Sequence, residues 1–186
     1  MLFELPPKNE KKVSAGNALI TGAKNVFPCS YKLADTISLL DEGKSVHWLS
    51  DGDWSMHDML LALLQKSGPA DVYLSSYSFS EYPARLIAEQ ISQGIIRSLY
   101  CLIDKRLDVR SASALTIIKN MSTRLELVNT HAKVTVIEND KMMIVVNGSA
   151  NYTTNKRYES GIVVMDRETA NFHKKWMMNE FNRSKS

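Results

Sequence analysis

Apolar residues along this chain change repeatedly between helical spacing and strand alternation, and the changes fall at Gly, Pro, Ser and Asp. Residues 1 to about 30 are polar and interrupted by Pro6, Pro7, Gly16, Gly22 and Pro28, which predicts a loosely ordered lead-in. Leu33, Ile37 and Leu40 then recur at helical spacing up to Gly43. Val46–Leu49 is a short strand. Ser55 and Asp58 have the spacing of a capping box, opening a helix through Leu60, Leu61, Leu63 and Leu64 that stops at Gly68-Pro69. Val72–Phe79 alternates and is rich in β-formers. Pro83 suits the first turn of a helix running to Gly94. Leu99–Ile103 is a strand ending at Asp104, 109–120 reads as helix, and Leu125–Val128 as a short strand. Lys133–Ile137 and Met142–Val146 flank a turn at Glu138–Lys141 and predict a hairpin. Gly161–Met165 is a further strand. Asp166 then caps a last helix expected to set Phe172, Trp176 and Phe181 on one face.

Strands alternating with helices, followed by a cluster of strands, predict an α/β fold with a mixed parallel and antiparallel sheet flanked by helices. The expected organisation is a lead-in with a short helix over residues 1–44 and one domain over 45–186. A chain of 186 residues is long enough for one sizeable core. No apolar run approaches the ~20 residues of a membrane span, no amphipathic membrane-docking segment stands out, and the N-terminus lacks the layout of a secretion signal. These features predict a cytoplasmic protein without membrane contact. Of the two cysteines, Cys101 lies in an apolar run and Cys29 in a loop, and neither has a Cys-x-x-Cys partner, which argues against zinc and thiol chemistry. The formal charge of +3 is compatible with a polyanionic partner.

Candidate chemistry concentrates in one segment: His131 and Lys133, then Gly148, Ser149 and Asn151, then Glu159. Residues two apart on a strand share a face. His131 and Lys133 therefore point one way, Ser149 and Asn151 share a face on the returning strand, and an antiparallel pair brings the sets together. An imidazole, an ammonium, a hydroxyl and an amide so gathered suit a phosphate ester. Lys and Asn neutralise and hold its oxygens while a neutral imidazole attacks phosphorus. Lys105, Arg106 and Arg110, and separately Lys156 and Arg157, are basic stretches near predicted strand ends. Of these, Lys105, Arg106, Lys156 and Arg157 are the candidate substrate-binding residues, by the strand-end rule of α/β folds. His47, His57 and His173 lack such company and read as structural, as do the Met142-Met143 and Met177-Met178 pairs.

The segment resembles the phospholipase D superfamily, whose signature is H-x-K, four residues, D, six residues, then G-S and a nearby N. The small bacterial endonucleases of that superfamily have G-S-x-N followed by a Glu. His131, Lys133, Gly148, Ser149, Asn151 and Glu159 match residue by residue. Tyr77–Phe79 and Gly94–Asp104 resemble the family's second and third strands more weakly, and the likeness extends over roughly 45–180. Two positions depart. Glu138 stands at the spacing of the family Asp, and nine residues, not six, separate it from Gly148, so a longer hairpin tip is expected.

The resemblance implies a metal-independent phosphodiesterase, most simply a nuclease, that needs no cofactor. Family enzymes use two such motifs around one site and this chain has one, which implies a homodimer. One His131 would form a phosphohistidine while the opposing one protonates the leaving oxygen. Lys133 and Asn151 would hold the phosphoryl oxygens, Ser149 would support them, and Glu159 would fix an imidazole tautomer. The family's acid is structural, so Glu138 is expected to support the fold. The alternative is a phospholipase D-like nucleic-acid-binding module with little or no turnover.

Overall fold

In the computed structural model, which describes residues 24–154 and 156–183, eight strands form one sheet in the order β1-β2-β8-β7-β6-β3-β4-β5. The strands are β1 (Lys24–Val26), β2 (Lys44–Ser50), β3 (Ala70–Ser76), β4 (Ile96–Asp104), β5 (Arg124–Val128), β6 (Val134–Glu138), β7 (Met143–Gly148) and β8 (Glu159–Met165). The helices are α1 (Leu33–Leu39), α2 (Met56–Ser67), α3 (Glu81–Ser92), α4 (Leu107–Arg110), α5 (Ala112–Met121) and α6 (Arg167–Arg183). β3, β4 and β5 run parallel, as do β1 and β2, while β8, β7 and β6 are antiparallel to their neighbours. The sheet is therefore mixed, as expected. These directions bring the C-terminal ends of β2, β3, β4, β5 and β7 to the same edge as the starts of β6 and β8.

Alternation within the central strands divides the core in two. Ile137, Ile144, Val146 and Val163 face the larger cluster, built with Met59, Leu60 and Leu63 of α2, Ile87 of α3 and Ile118 of α5. Val134, Val136, Met143 and Val145 face the smaller one, closed by Ala170, Met177 and Phe181 of α6. Strands buried on both sides read as continuous apolar runs rather than clean alternation. The capping box at Ser55 forms, with its backbone N–H donating to Asp58 Oδ2 at 2.8 Å. Asp166 caps α6 by accepting the Thr169 N–H at 2.7 Å.

Four expectations need correction. The lead-in falls outside the described residues up to 23, and Lys24–Val26 is not loose but pairs with β2. The strand expected over 72–79 ends at Ser76, where the chain turns so that the Ser76 hydroxyl donates to the Ser78 carbonyl at 2.8 Å. The 109–120 helix begins earlier, as α4, and breaks at Ser111, whose φ −156° and ψ 76° lie outside the helical region and so cannot carry one helix through. Phe172 is exposed, whereas Phe181 is buried. Nine residues at helical spacing turn through half a circle beyond whole turns, so the two point oppositely. Ala170, Met177 and Phe181 form the stripe instead.

Trp48, Gly161 and Gly148 lie in one row across β2, β8 and β7. A Cβ on Gly161 would sit 2.3 Å from the Asn147 carbonyl oxygen and 2.6 Å from Trp48 Cζ2. On Gly148 it would sit 2.5 Å from that same ring atom. The two glycines are the floor on which the indole rests. Gly161→Ala should destabilise the fold by about 2–3 kcal/mol through overpacking against backbone. Urea unfolding with an unchanged m-value checks this, and a loss under about 0.5 kcal/mol would mean that the indole does not rest on this pair.

Candidate active site

The sheet edge described above gathers the motif. β6 begins at Val134 and β7 ends at Gly148, so His131, Lys133, Ser149 and Asn151 lie just beyond the strands rather than in them. Side-chain bonds take over from the ladder there. Ala132 N–H donates to Thr130 Oγ1 at 3.1 Å, and Ser75 Oγ donates to the Ala132 carbonyl at 3.2 Å. Gly148 N–H still reaches the Lys133 carbonyl at 3.3 Å. Register is thus carried past the last strand pair, Val134 with Asn147.

Lys133 is buried, and its Nζ lies 3.2 Å from His131 Nδ1 and 2.8 Å from the His131 carbonyl oxygen. An ammonium only donates. Nδ1 of a neutral ring therefore accepts, and the ring proton sits on Nε2. Burial pulls the Lys133 proton affinity down, and the Glu159 carboxylate pulls it back up. Glu159 lies at the first position of β8. It accepts a hydrogen bond from the Ser149 hydroxyl, whose oxygen in turn receives the Ser160 N–H at 3.0 Å. Its hydrogen-bonded neighbour is thus Ser149, while its influence on Lys133 is electrostatic.

Asn151 is delivered by a separate device. Tyr152 stacks on Phe79 at 4.8 Å and 4°, its hydroxyl bonds Thr135 Oγ1 at 2.7 Å, and its carbonyl accepts the Ser80 N–H at 2.9 Å. These contacts fasten the segment after β7 to the segment after β3. Asn151 Oδ1 then accepts from Ser76 Oγ at 3.3 Å and from the Ser78 backbone at 3.1 Å, one residue on either side of Tyr77.

Tyr77 was not singled out as a site residue in the sequence, yet its ring lies 4.6 Å from the His131 ring. Lys133 Nζ, the Arg106 guanidinium carbon and the Arg110 guanidinium carbon lie over it at 5.5, 4.7 and 4.2 Å. The available signal was position: Tyr77 directly follows a buried strand at the edge where α/β folds bind ligands. Arg106 also clasps Asp104 with bonds of 2.6 and 2.9 Å. Asp104 is fully buried, accepts the Thr130 N–H at 3.3 Å, and has its pKa lowered to about 2, chiefly by Arg106. Lys105, Lys156 and Arg157 are exposed. The Lys156 and Arg157 backbone packs against Gly52 after β2.

Glu138 lies at the opposite edge, paired with Lys174 of α6. A pocket of about 410 Å³ at that edge, lined by residues including Asp71, Arg97, Glu138 and Lys174, is far along the strands from the motif. His57 is buried beside Ser55 and Asp58, and burial lowers its pKa. Among the described residues, no group of three or more His, Cys, Asp or Glu could hold a metal ion, and no helix is long and apolar enough to cross a membrane.

No family model and no curated protein matches this chain in sequence. Solved structures do match. NucT from Helicobacter pylori aligns with a TM-score of 0.56 at 20% identity, over 75% of this chain and 97% of that one. Nuc from Salmonella typhimurium, a phospholipase D family member, aligns with a TM-score of 0.55 at 16% identity, over 75% and 95%. The chain has the phospholipase D fold.

The Asp104 clasp sets a pH signature. Its carboxylate is depressed in the folded state, so its contribution to stability is present above the unfolded value of about 3.9 and is lost as pH falls toward about 2. Asp104→Asn should cost about 2 kcal/mol at pH 7, discounted because Arg106 is half exposed. Urea unfolding from pH 7 to 2 should show that gap closing below pH 4. A gap independent of pH would mean that the carboxylate's charge is not what matters.

Proposed function

We propose that the protein is a metal-independent phosphodiesterase of the phospholipase D superfamily, a nuclease whose active site is completed by a second copy of the chain. The observation that carries this reading is the contact between Lys133 Nζ and His131 Nδ1, 3.2 Å, at the sheet edge that also holds Ser149, Asn151 and Glu159. A buried ammonium beside an imidazole supplies the charge neutralisation for which other phosphodiesterases recruit a cation. We take 45–186 as the phospholipase D-like domain, 1–44 as its lead-in, and the cytoplasm as its location.

In the reaction, Nε2 of one His131 attacks phosphorus, forming an N–P bond as the P–O bond to the leaving group breaks. The partner subunit's His131 donates a proton to that oxygen. Water then attacks phosphorus and gives its proton to the partner subunit's His131 as the N–P bond breaks. Lys133 and Asn151 hold the non-bridging oxygens, and Ser149 supports them. The Lys133 contact favours a neutral ring with its proton on Nε2, whereas the proton donor is the doubly protonated imidazolium, which must also leave that contact because its Nδ1 no longer accepts. The attacking ring must surrender that contact and carry its proton on Nδ1, where Glu159 is the carboxylate proposed to receive it. Lys105, Arg106, Lys156 and Arg157 line the approach of a nucleic-acid strand.

One observation favours a second reading. Within one chain, Nδ1 is occupied by Lys133 and Glu159 is bonded to Ser149. A ring so held is not prepared as a nucleophile, as suits a nucleic-acid-binding module with little turnover. An assay in excess chelator separates the two. The wild type should cleave single-stranded DNA or RNA, and His131→Ala should lose on the order of 10³-fold or more of the rate while retaining binding. Equal binding by both proteins with no cleavage by either selects the binding module. Cleavage that needs magnesium and survives the substitution removes both readings.

Assembly is a separate expectation. Sedimentation at micromolar concentration should give a dimer. Mixing His131→Ala with wild-type chains in excess should suppress activity per wild-type chain. A fully active monomer would contradict a shared site.

A further inference from the structure

We infer that Arg106 and Arg110, arrayed on the Tyr77 ring beside His131, form a second phosphate site, so that the substrate is a polynucleotide gripped at two successive phosphates rather than an isolated diester. The inference rests on the phosphodiesterase reading above and specifies the substrate of that site. It begins with spacing. Arg106 and Arg110 are four apart across α4, which puts them on one side of that single turn. The turn lies directly after β4, at the edge that carries His131. Tyr77 follows the neighbouring strand β3 and offers its ring to both guanidinium groups, at 4.7 and 4.2 Å.

Each guanidinium is oriented, and each keeps donors to spare. Arg106 gives Nε and Nη2 to Asp104, and Arg110 gives Nη2 to the Tyr77 hydroxyl and Nη1 to the Tyr77 carbonyl at 3.5 Å. Among the described residues these bonds use two of the five N–H groups a guanidinium carries. The choice of anchor matters. A carboxylate fixes an arginine by cancelling its charge, whereas an aromatic face fixes it through the ring quadrupole and leaves the charge intact. Asp104 therefore offsets Arg106, while Tyr77 gathers Arg110 and Lys133 beside it without discharging them. Clustered cations repel, and an anion seated among them relieves that repulsion. A planar fork matches phosphate oxygens two at a time. The His131 ring contacts the same tyrosine at 4.6 Å, so this anion would neighbour the one under attack.

The test compares a thymidine dinucleoside monophosphate, which has one phosphate, with a thymidine hexanucleotide, both in deoxy and ribo form. The wild type should prefer the hexanucleotide in kcat/KM. Arg110→Gln should shrink that preference by about tenfold, as expected for a lost charge-assisted contact, and Arg110→Lys should restore part of it. An unchanged preference overturns the second phosphate site while leaving the phosphodiesterase reading intact. If neither compound is cleaved, that reading fails, and binding judges the site alone. Fluorescence anisotropy of the labelled hexanucleotide on His131→Ala, over a salt series, should lose about one unit of log–log slope when Arg110→Gln is added. An unaltered slope overturns the assignment whatever the turnover.

Discussion

The arrangement depends on a close approach: the Trp48 indole packs directly against two glycines, Gly161 and Gly148, that face each other across β8 and β7. No side chain fits between ring and backbone there. The pairing consequently tolerates neither a register slip nor a substitution, since a one-residue slip would bring Ser149 or Ser160 under the indole. Fixing β7 against β8 in this way puts Ser149 opposite the start of β8, where Glu159 receives its hydroxyl. It also leaves Gly148 free to donate its N–H to the Lys133 carbonyl. The glycine of the G-S pair is therefore a packing residue, and the serine beside it inherits its position from that packing.

The remaining site residues are held by buried polar anchors that lie one step away from them. Asp104 holds Thr130, Thr130 and Ser75 shape the turn through Ala132, and His131 sits within that turn. Tyr152 does the same for Asn151, with its ring on Phe79 and its hydroxyl on Thr135. Burial pushes the Tyr152 phenol well above its usual pKa, so it stays neutral and can keep bonding Thr135. Buried polar groups satisfied in this way specify one local conformation. The loops bearing the motif are ordered by such bonds rather than by ladder pairing.

Much of this was legible in the chain. Periodicity located the helices and strands, because amphipathic spacing reports directly on which side is buried. The capping residues Ser55 and Asp166 marked helix starts through local chemistry that needs no tertiary knowledge. The motif spacing brought His131 and Lys133 together for the same reason. What could not be read was tertiary in origin. Tyr77 looked like the tail of an alternating strand, but the bond from Ser76 to Ser78 and those from both residues to Asn151 hold a turn there that sets its ring beside His131. Phe172 looked like core because it is aromatic, but the face of α6 that meets the sheet is set by where Ala170 and Met177 pack. Arg106 reads in the sequence as a substrate-binding cation, while two of its five side-chain donors are spent on a carboxylate two residues earlier in the chain.

The same contrast explains how a site can be strongly cationic and still stable without ligand. Lys133 is removed from water, which penalises its charge, and Glu159 opposes that penalty from across the β7–β8 pair. Burial lowers the Lys133 pKa, and the carboxylate limits the fall. An anion that replaced the His131 contacts would displace little water in doing so, and would gain more from the charge than it would at a solvated lysine. Arg106 and Arg110 are treated oppositely: both are exposed and lie on the neutral Tyr77 ring, and Arg106 is also held by Asp104. On the function proposed, buried Lys133 would face the group whose charge changes during reaction, where preorganisation lowers the barrier. The exposed arginines would, on the same proposal, meet phosphates that are only held, where fast exchange with solvent lets a strand enter and leave. One aromatic side chain after β3 borders both groups: the Tyr77 ring meets His131 and Lys133 on one side and Arg106 and Arg110 on the other, so its position, rather than the motif alone, sets how the cations at this edge are arranged.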